Sequence, residues 1–181
     1  MKGILLCVLA IVIVEISIDA QPLTVGWKTE RPPEMDVLRF LEIQFAGGTF
    51  SLVPPWGCGL KTDPAAATIQ LSSSTGSVSM TIQFSTNSPS PILGSKSALQ
   101  HYASPNRGEA EVRDAFPAHS GAATGKGIEL SFDLHGQPMR RRAAVIPLPN
   151  GYAGFIVTSS ADESKAAQQF FDGVVTSFHR R

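Results

Sequence analysis

The densest cluster of side chains able to do chemistry is Arg140-Arg141-Arg142. If the segment is a strand, side chains alternate between faces, so Arg140 and Arg142 share one face and Arg141 takes the other. Two guanidiniums side by side suit an anion, such as a lipid head group or an acidic partner. The structural alternative is cross-strand pairing with Glu129 or Asp133 on the preceding segment. A second candidate is Ser120-Gly121-Ala122-Ala123-Thr124-Gly125-Lys126-Gly127, whose Gly and Lys are spaced much as in a phosphate-binding loop. It lacks the first Gly and the Ser/Thr after Lys, and a strand pattern follows where a helix is needed. A turn is the better reading.

Catalytic constellations are sparse. His101, His119, His135 and His179 stand at no metal-ligand spacing from one another or from Cys or paired acids. No Gly-x-Ser-x-Gly nucleophile elbow occurs, although a triad that assembles only in space leaves no local signature. Cys58, within Trp56-Gly57-Cys58-Gly59, reads as a small half-buried apolar residue rather than a nucleophile. These residues imply no metal and no cofactor. The loop Pro54-Pro55-Trp56 is a candidate binding loop.

The elements that must position these residues follow from periodicity. Leu41, Ile43 and Phe45 alternate with Glu42 and Gln44, Gly47-Gly48 supplies a hairpin turn, and Thr49–Val53 returns until Pro54-Pro55. A second hairpin joins Thr68–Leu71 to Val78–Phe84 through Ser74–Ser77. The segment Asn87–Pro91 breaks the sheet, and a short helix over Lys96–Ala103 is capped by Ser95. Ile128, Leu130, Phe132 and Leu134 alternate with polar residues, Gly136 turns the chain into Met139–Leu148, and Asn150-Gly151 suits a type I′ turn into Tyr152–Thr158. Such short connections require antiparallel pairing. The last element is a helix in which Ser160 and Glu163 form a capping box, and Ala167, Phe170, Phe171, Val174 and Phe178 form an apolar stripe. His179, Arg180 and Arg181 lie at the negative end of its dipole. The sum is an α+β domain, a mostly antiparallel sheet flanked by helices, with the C-terminal amphipathic helix packed on the sheet.

The N-terminus sets the expected compartment. Lys2, the apolar run Gly3–Val14 and the small residue Ala20 have the build of a secretory signal peptide, residues 1–20. The run stops at Glu15, too short for a spanning helix. No stable membrane span is expected after cleavage, and an N-terminal anchor is the weaker alternative. Ile18 is bulky for a position three before the cut. Cys7 lies too early for lipoprotein processing. Cleavage removes Lys2, Glu15 and Asp19, leaving 14 basic against 13 acidic residues, so nucleic-acid binding has no electrostatic support. It also leaves Cys58 as the single cysteine, excluding an intramolecular disulfide. Residues 21–36, rich in Pro and charge, read as an extended lead-in, and 37–181 as one domain.

Two segments carry a family likeness. Phe50-Ser51-Leu52-Val53-Pro54-Pro55-Trp56 resembles the entry of the PsbP/DcrB-like superfamily, and Tyr152–Thr158 with Phe171–Phe178 resembles its terminal strand and helix. The doubled proline and the Gly-Cys-Gly after Trp56 depart from the commoner pattern. The resemblance implies a sheet sandwiched by helices and, since relatives mainly bind other macromolecules, a binding role. No family binding residue maps onto a position here. The expectation is therefore an exported, non-enzymatic module that binds a protein or envelope component. The competing expectation is a small exported hydrolase assembled in three dimensions. A deep pocket gathering two or more of His101, His119, Asp133 and His135 favours the hydrolase. Exposed apolar residues beside the Pro-Trp loop favour binding.

Overall fold

The computed structural model describes residues 22–31, 37–105, 110–121 and 123–181. The signal segment, 1–20, and parts of the expected lead-in lie outside the described residues.

The chain runs β1 (Thr24–Glu30), β2 (Leu38–Phe45), β3 (Gly48–Leu52), β4 (Gly59–Asp63), β5 (Thr68–Ser72) and β6 (Ser79–Ser85). Then come α1 (Ser90–Leu93), α2 (Lys96–Ala103), β7 (Glu111–Ser120), β8 (Ala123–Leu134), β9 (Gln137–Leu148), β10 (Gly151–Ser160), α3 (Ser164–Ser177) and β11 (His179–Arg180). Four strands form one sheet in the order β1-β2-β3-β11, and seven form a second in the order β4-β5-β6-β10-β9-β8-β7. All of the strand pairs are antiparallel. The fold is α+β, as the periodicities predict.

One face of the large sheet carries the main core. Ile82, Phe155 and Ala144 meet Leu41, Ile43 and Leu52 of the small sheet and the stripe Ala167, Phe170, Phe171 and Val174 of α3. Phe178 closes this core, stacked 5.4 Å from Phe50 and edge-on to Phe155. The opposite face carries a smaller core in which Leu99 and Ala103 of α2 pack on Ile128, Leu130, Ala143 and Val145. Ser95 caps α2 as expected, its hydroxyl accepting from the Ala98 amide.

Several local expectations are corrected. The first hairpin pairs Phe45 with Gly48, so its two-residue turn is Ala46-Gly47, with φ of 48° and 75°, rather than Gly47-Gly48. Burial decides this, because a one-residue slip would turn Phe50 and Leu52 outward. Ala46 accepts a left-handed backbone that costs about 1 kcal/mol for an L-residue. The β9–β10 turn is Pro149-Asn150, since Leu148 pairs with Gly151, and Asn150 has no positive φ. Its amide instead donates to the Ala46 carbonyl of the neighbouring hairpin.

Only the serine half of the capping box forms, and weakly. Ser160 is held in β10 opposite Met139, the helix begins only at Ser164, and Ser160 Oγ accepts a long 3.4 Å bond from the Glu163 amide. His179 and Arg180, expected at the C-terminal end of the helix, form a short strand on β3.

Part of the segment read as a lead-in is β1, paired along its length with β2. The meander has a fourth strand, β7, concealed in the sequence by Pro117 and by a bulge between Val112 and Asp114. An edge strand tolerates both. The edge strand β4 and the single turn α1 leave no pattern in the sequence, since β4 buries little and Pro91 masks the helix.

Candidate functional site

The arginine cluster divides three ways. Arg142 stands opposite Glu129, and its guanidinium pairs with that carboxylate at 3.2 Å and with Asp172 of α3 at 3.4 Å. It also lies 3.8 Å over the Phe116 ring. That ring occupies the space above Gly127, where a Cβ would fall 2.1 Å from it. The pairing with Glu129 is the cross-strand contact foreseen as the structural alternative, whereas Asp133 takes no part. Arg141, on the other face, donates to Thr158 Oγ1 at 2.9 Å and to the Ala103 carbonyl at 3.1 Å, tying β9 to the end of α2. Burial pushes its guanidinium pKa down.

Arg140 is different. It faces Ser131 and Ser159 across the ladder, neither of them charged. Its Nη1 is buried without a hydrogen-bond partner among the described residues, as are Arg142 Nε and Tyr102 Oη. Arg140 lines an open groove of about 970 Å³ between α2 and the ends of β7, β8 and β9. Ser97, Gln100 and His101 come from α2 and Ser104 from its C-cap, Glu111 and Arg113 from β7, and Phe132, Asp133, Pro138 and Met139 from the β8–β9 hairpin. Arg113 was not singled out in the sequence, because β7 carries no readable alternation.

The groove brings together His101 and Asp133, two of the four residues named for a hydrolase, but not His119 or His135. Asp133 spends one carboxylate oxygen on the Gly136 amide at 2.7 Å. No hydroxyl bonds His101 among the described residues. His119 meets Thr124 Oγ1 at 3.3 Å on the β7–β8 hairpin, outside the groove. His135 has φ of 55° at the tight turn between β8 and β9. A Ser–His pair does exist: Ser51 Oγ lies 2.8 Å from His179 Nε2, and His179 Nδ1 lies 2.9 Å from the Ser177 carbonyl. With that carbonyl accepting from Nδ1–H, Nε2 accepts from Ser51. Ser51 is 1% exposed, so its hydroxyl is out of a substrate's reach and the pair pins β11 to β3.

The segment compared with a phosphate loop turns at Gly121, and its Lys126 lies in β8 with Nζ donating to the Leu93 carbonyl. No phosphate cradle forms. Cys58 is half-buried, and burial pushes its thiol pKa up, away from the nucleophilic thiolate. Among the described residues, no three His, Cys, Asp or Glu side chains converge on a metal position. None of the described helices is long and apolar enough to cross a membrane.

The Pro54–Trp56 loop forms a different kind of site. The Cys58 amide donates to the Pro55 carbonyl at 3.2 Å, closing a turn with Trp56 at its second position and Gly57, φ 71°, at its third. Positive φ at that third position is what a type II turn requires. Trp56 stands at the tip, 98% exposed. The neighbouring tip is the serine-rich β5–β6 hairpin, since a Cβ on Gly57 would sit 3.1 Å from Ser74 Cβ.

Comparison with known proteins places the architecture. No family model matches the chain, and no curated protein matches it. Among solved structures, the fold is similar to the crystal structure of LpqN, involved in cell envelope biogenesis of Mycobacterium tuberculosis. The TM-score is 0.52 at 11% identity, over 86% of this chain and 91% of that one. A solution structure of cyanobacterial PsbP (CyanoP) from Synechocystis aligns at 13% identity and TM-score 0.47, over 91% of this chain and 96% of that one. A Pseudomonas aeruginosa protein, PA94, described as a putative regulator, aligns at 11% identity and TM-score 0.43, over 82% and 96%. The likeness to LpqN shows a shared α+β architecture. At such identities the likeness is one of fold alone.

Proposed function

We propose that the chain is an exported, non-enzymatic binding module that engages a protein or cell-envelope component through the Pro54–Trp56 loop. The observation that carries this reading is Trp56, presented to solvent on a turn that two prolines precede and Gly57 permits. Tryptophan is enriched among residues that dominate interface energies. A side chain held ready on a rigid turn loses less freedom on binding than one on a floppy loop. The envelope role of LpqN, a protein of similar fold, guides the choice of extract. The test is capture from envelope extract on immobilised full chain, comparing wild type with Trp56→Ala and, as a control, Trp27→Phe. A specific partner should be retained by wild type and the control and lost with Trp56→Ala. Equal recovery by all three would remove the loop from the reading, and recovery of nothing would sink it.

The hydrolase reading retains one observation, the meeting of His101 and Asp133 in the groove. Ester hydrolysis that disappears with His101→Ala would restore it.

A further inference from the structure

We infer that the cleft between the open ends of the two sheets is a binding site for a small apolar carboxylic acid, its body on Phe50, Ile146 and Leu148 and its carboxylate on Arg180. The site is separate from the Pro54–Trp56 loop, and losing that reading leaves it standing.

The geometry follows from the strand registers. Arg180 stands opposite Phe50 in the β11–β3 pair, so the two side chains leave the same face of the small sheet. Phe50 belongs to the main core, and Arg180 is therefore turned toward the space between the sheets. His179, one position earlier, takes the other face, where its ring meets Ser51. On the large sheet, Ile146 and Leu148 of β9 point toward the same core, and Ala123 at the start of β8 packs against it too. These side chains and Phe178 enclose a cleft of about 360 Å³ that Arg180 borders.

Ties between the sheets hold the cleft open at this width. Ser120 Oγ donates to the Phe178 carbonyl at 2.6 Å, and Asn150 Nδ2 donates to the Ala46 carbonyl at 2.9 Å. The turn at Gly121 also presses on β11, since a Cβ there would fall 2.5 Å from His179 Cβ. A preformed opening costs less to fill than one that must be pried apart. Its volume lies at the lower end of the range for small-molecule sites and suits one small body rather than a helix.

Charge decides the head group. Among the described residues, no Asp or Glu lines the cleft or the adjoining hollow at Gly47 and Gly48, which Arg180 also borders. Arg181 is taken by Glu30, whereas Arg180 forms no ion pair or side-chain hydrogen bond among the described residues. A single planar guanidinium beside apolar walls matches the two oxygens of a carboxylate. A phosphate asks for more donors, and the ring of His179 is already engaged by Ser51 and the Ser177 carbonyl.

The experiment titrates the full chain with octanoate and with octanol, its uncharged counterpart, followed by amide chemical shifts and calorimetry. Octanoate should shift the amides of Phe50, Ala123, Leu148 and Arg180 and bind several-fold more tightly than the alcohol. Arg180→Gln should weaken octanoate by roughly fivefold to tenfold, the loss expected for a charged hydrogen bond at a water-exposed rim, and should leave octanol unchanged. Added salt should narrow the gap between the two probes. Ala123→Leu, which fills the cleft, should weaken both. Leu148→Gln gives a second route to that result should the first variant fail to fold, and melting temperatures establish which variants are folded. Shifts confined to α2 or to Trp56, octanoate binding unaffected by Arg180→Gln, or no response at millimolar concentration would overturn the proposal. So would a dimer in sedimentation that Ala123→Leu dissociates, since a second copy would then hold the cleft.

Discussion

Arg140 and Arg142 lie two residues apart on one face of β9, and their surroundings could hardly differ more. Around Arg142 the large sheet is roofed by α3, so the guanidinium finds Glu129 opposite, Asp172 above and Phe116 beneath. Around Arg140 the ladder offers only Ser131 and Ser159, neither of them a charge partner. The same residue type is held by two carboxylates at one position and makes no ion pair among the described residues at the other. What separates them is the extent of cover, which depends on where α3 begins and where β7 ends.

The comparison can be broken first by stripping the roof. Phe171→Ala, at a fully buried site in the main core, should cost about 3–5 kcal/mol, measured by denaturant unfolding. A cost below about 1 kcal/mol would mean that α3 does not roof this corner as described. Second, Arg142→Ala should destabilise by about 2–3 kcal/mol, because Glu129 and Asp172 would be left facing each other without a cation. Arg140→Ala should stay within about 0.5 kcal/mol of wild type, since it breaks no ion pair or side-chain hydrogen bond among the described residues. Equal losses for the two arginines would erase the distinction.

Away from that corner the expected effects are smaller. Ala46→Gly should stabilise by about 0.5–1 kcal/mol, the left-handed strain relieved less the added freedom of the unfolded chain, readable as a higher Tm. The smallest effect concerns Glu30, whose carboxyl pKa is held below the ordinary value by the Arg181 hydrogen bond. A lowered carboxylate pKa adds stability that is present above the unfolded value and fades as pH falls through the folded one. Acidification should therefore erode a small contribution that Glu30→Gln lacks at every pH. Identical pH profiles for wild type and Glu30→Gln would refute it. The site is exposed and screened by salt.

Legibility followed burial. Strands with one face in the core, such as β2, β6 and β8, announce themselves by alternation, and α3 by its stripe. The edge strands β1, β4 and β7 bury little, so no pattern marks them, and with β7 went Arg113 and the groove wall it builds. The candidate site was half visible. Arg140, Arg142 and the Pro54–Trp56 loop stood out by residue type, but which arginine would be consumed by the framework depended on Asp172, thirty positions away from Arg142 along the chain.

The sequence by itself therefore determined the α+β class, the antiparallel pairing, the apolar face of α3 and a Trp held between prolines and glycines. These are local matters of period, turn chemistry and backbone restriction. Tertiary structure alone decided that Ala46-Gly47 makes the first turn, that the last residues form a strand, and that Arg142 closes a corner while Arg140 borders a groove. Each of those outcomes is settled by side chains far apart in sequence competing for the same buried space, and no local pattern records who wins.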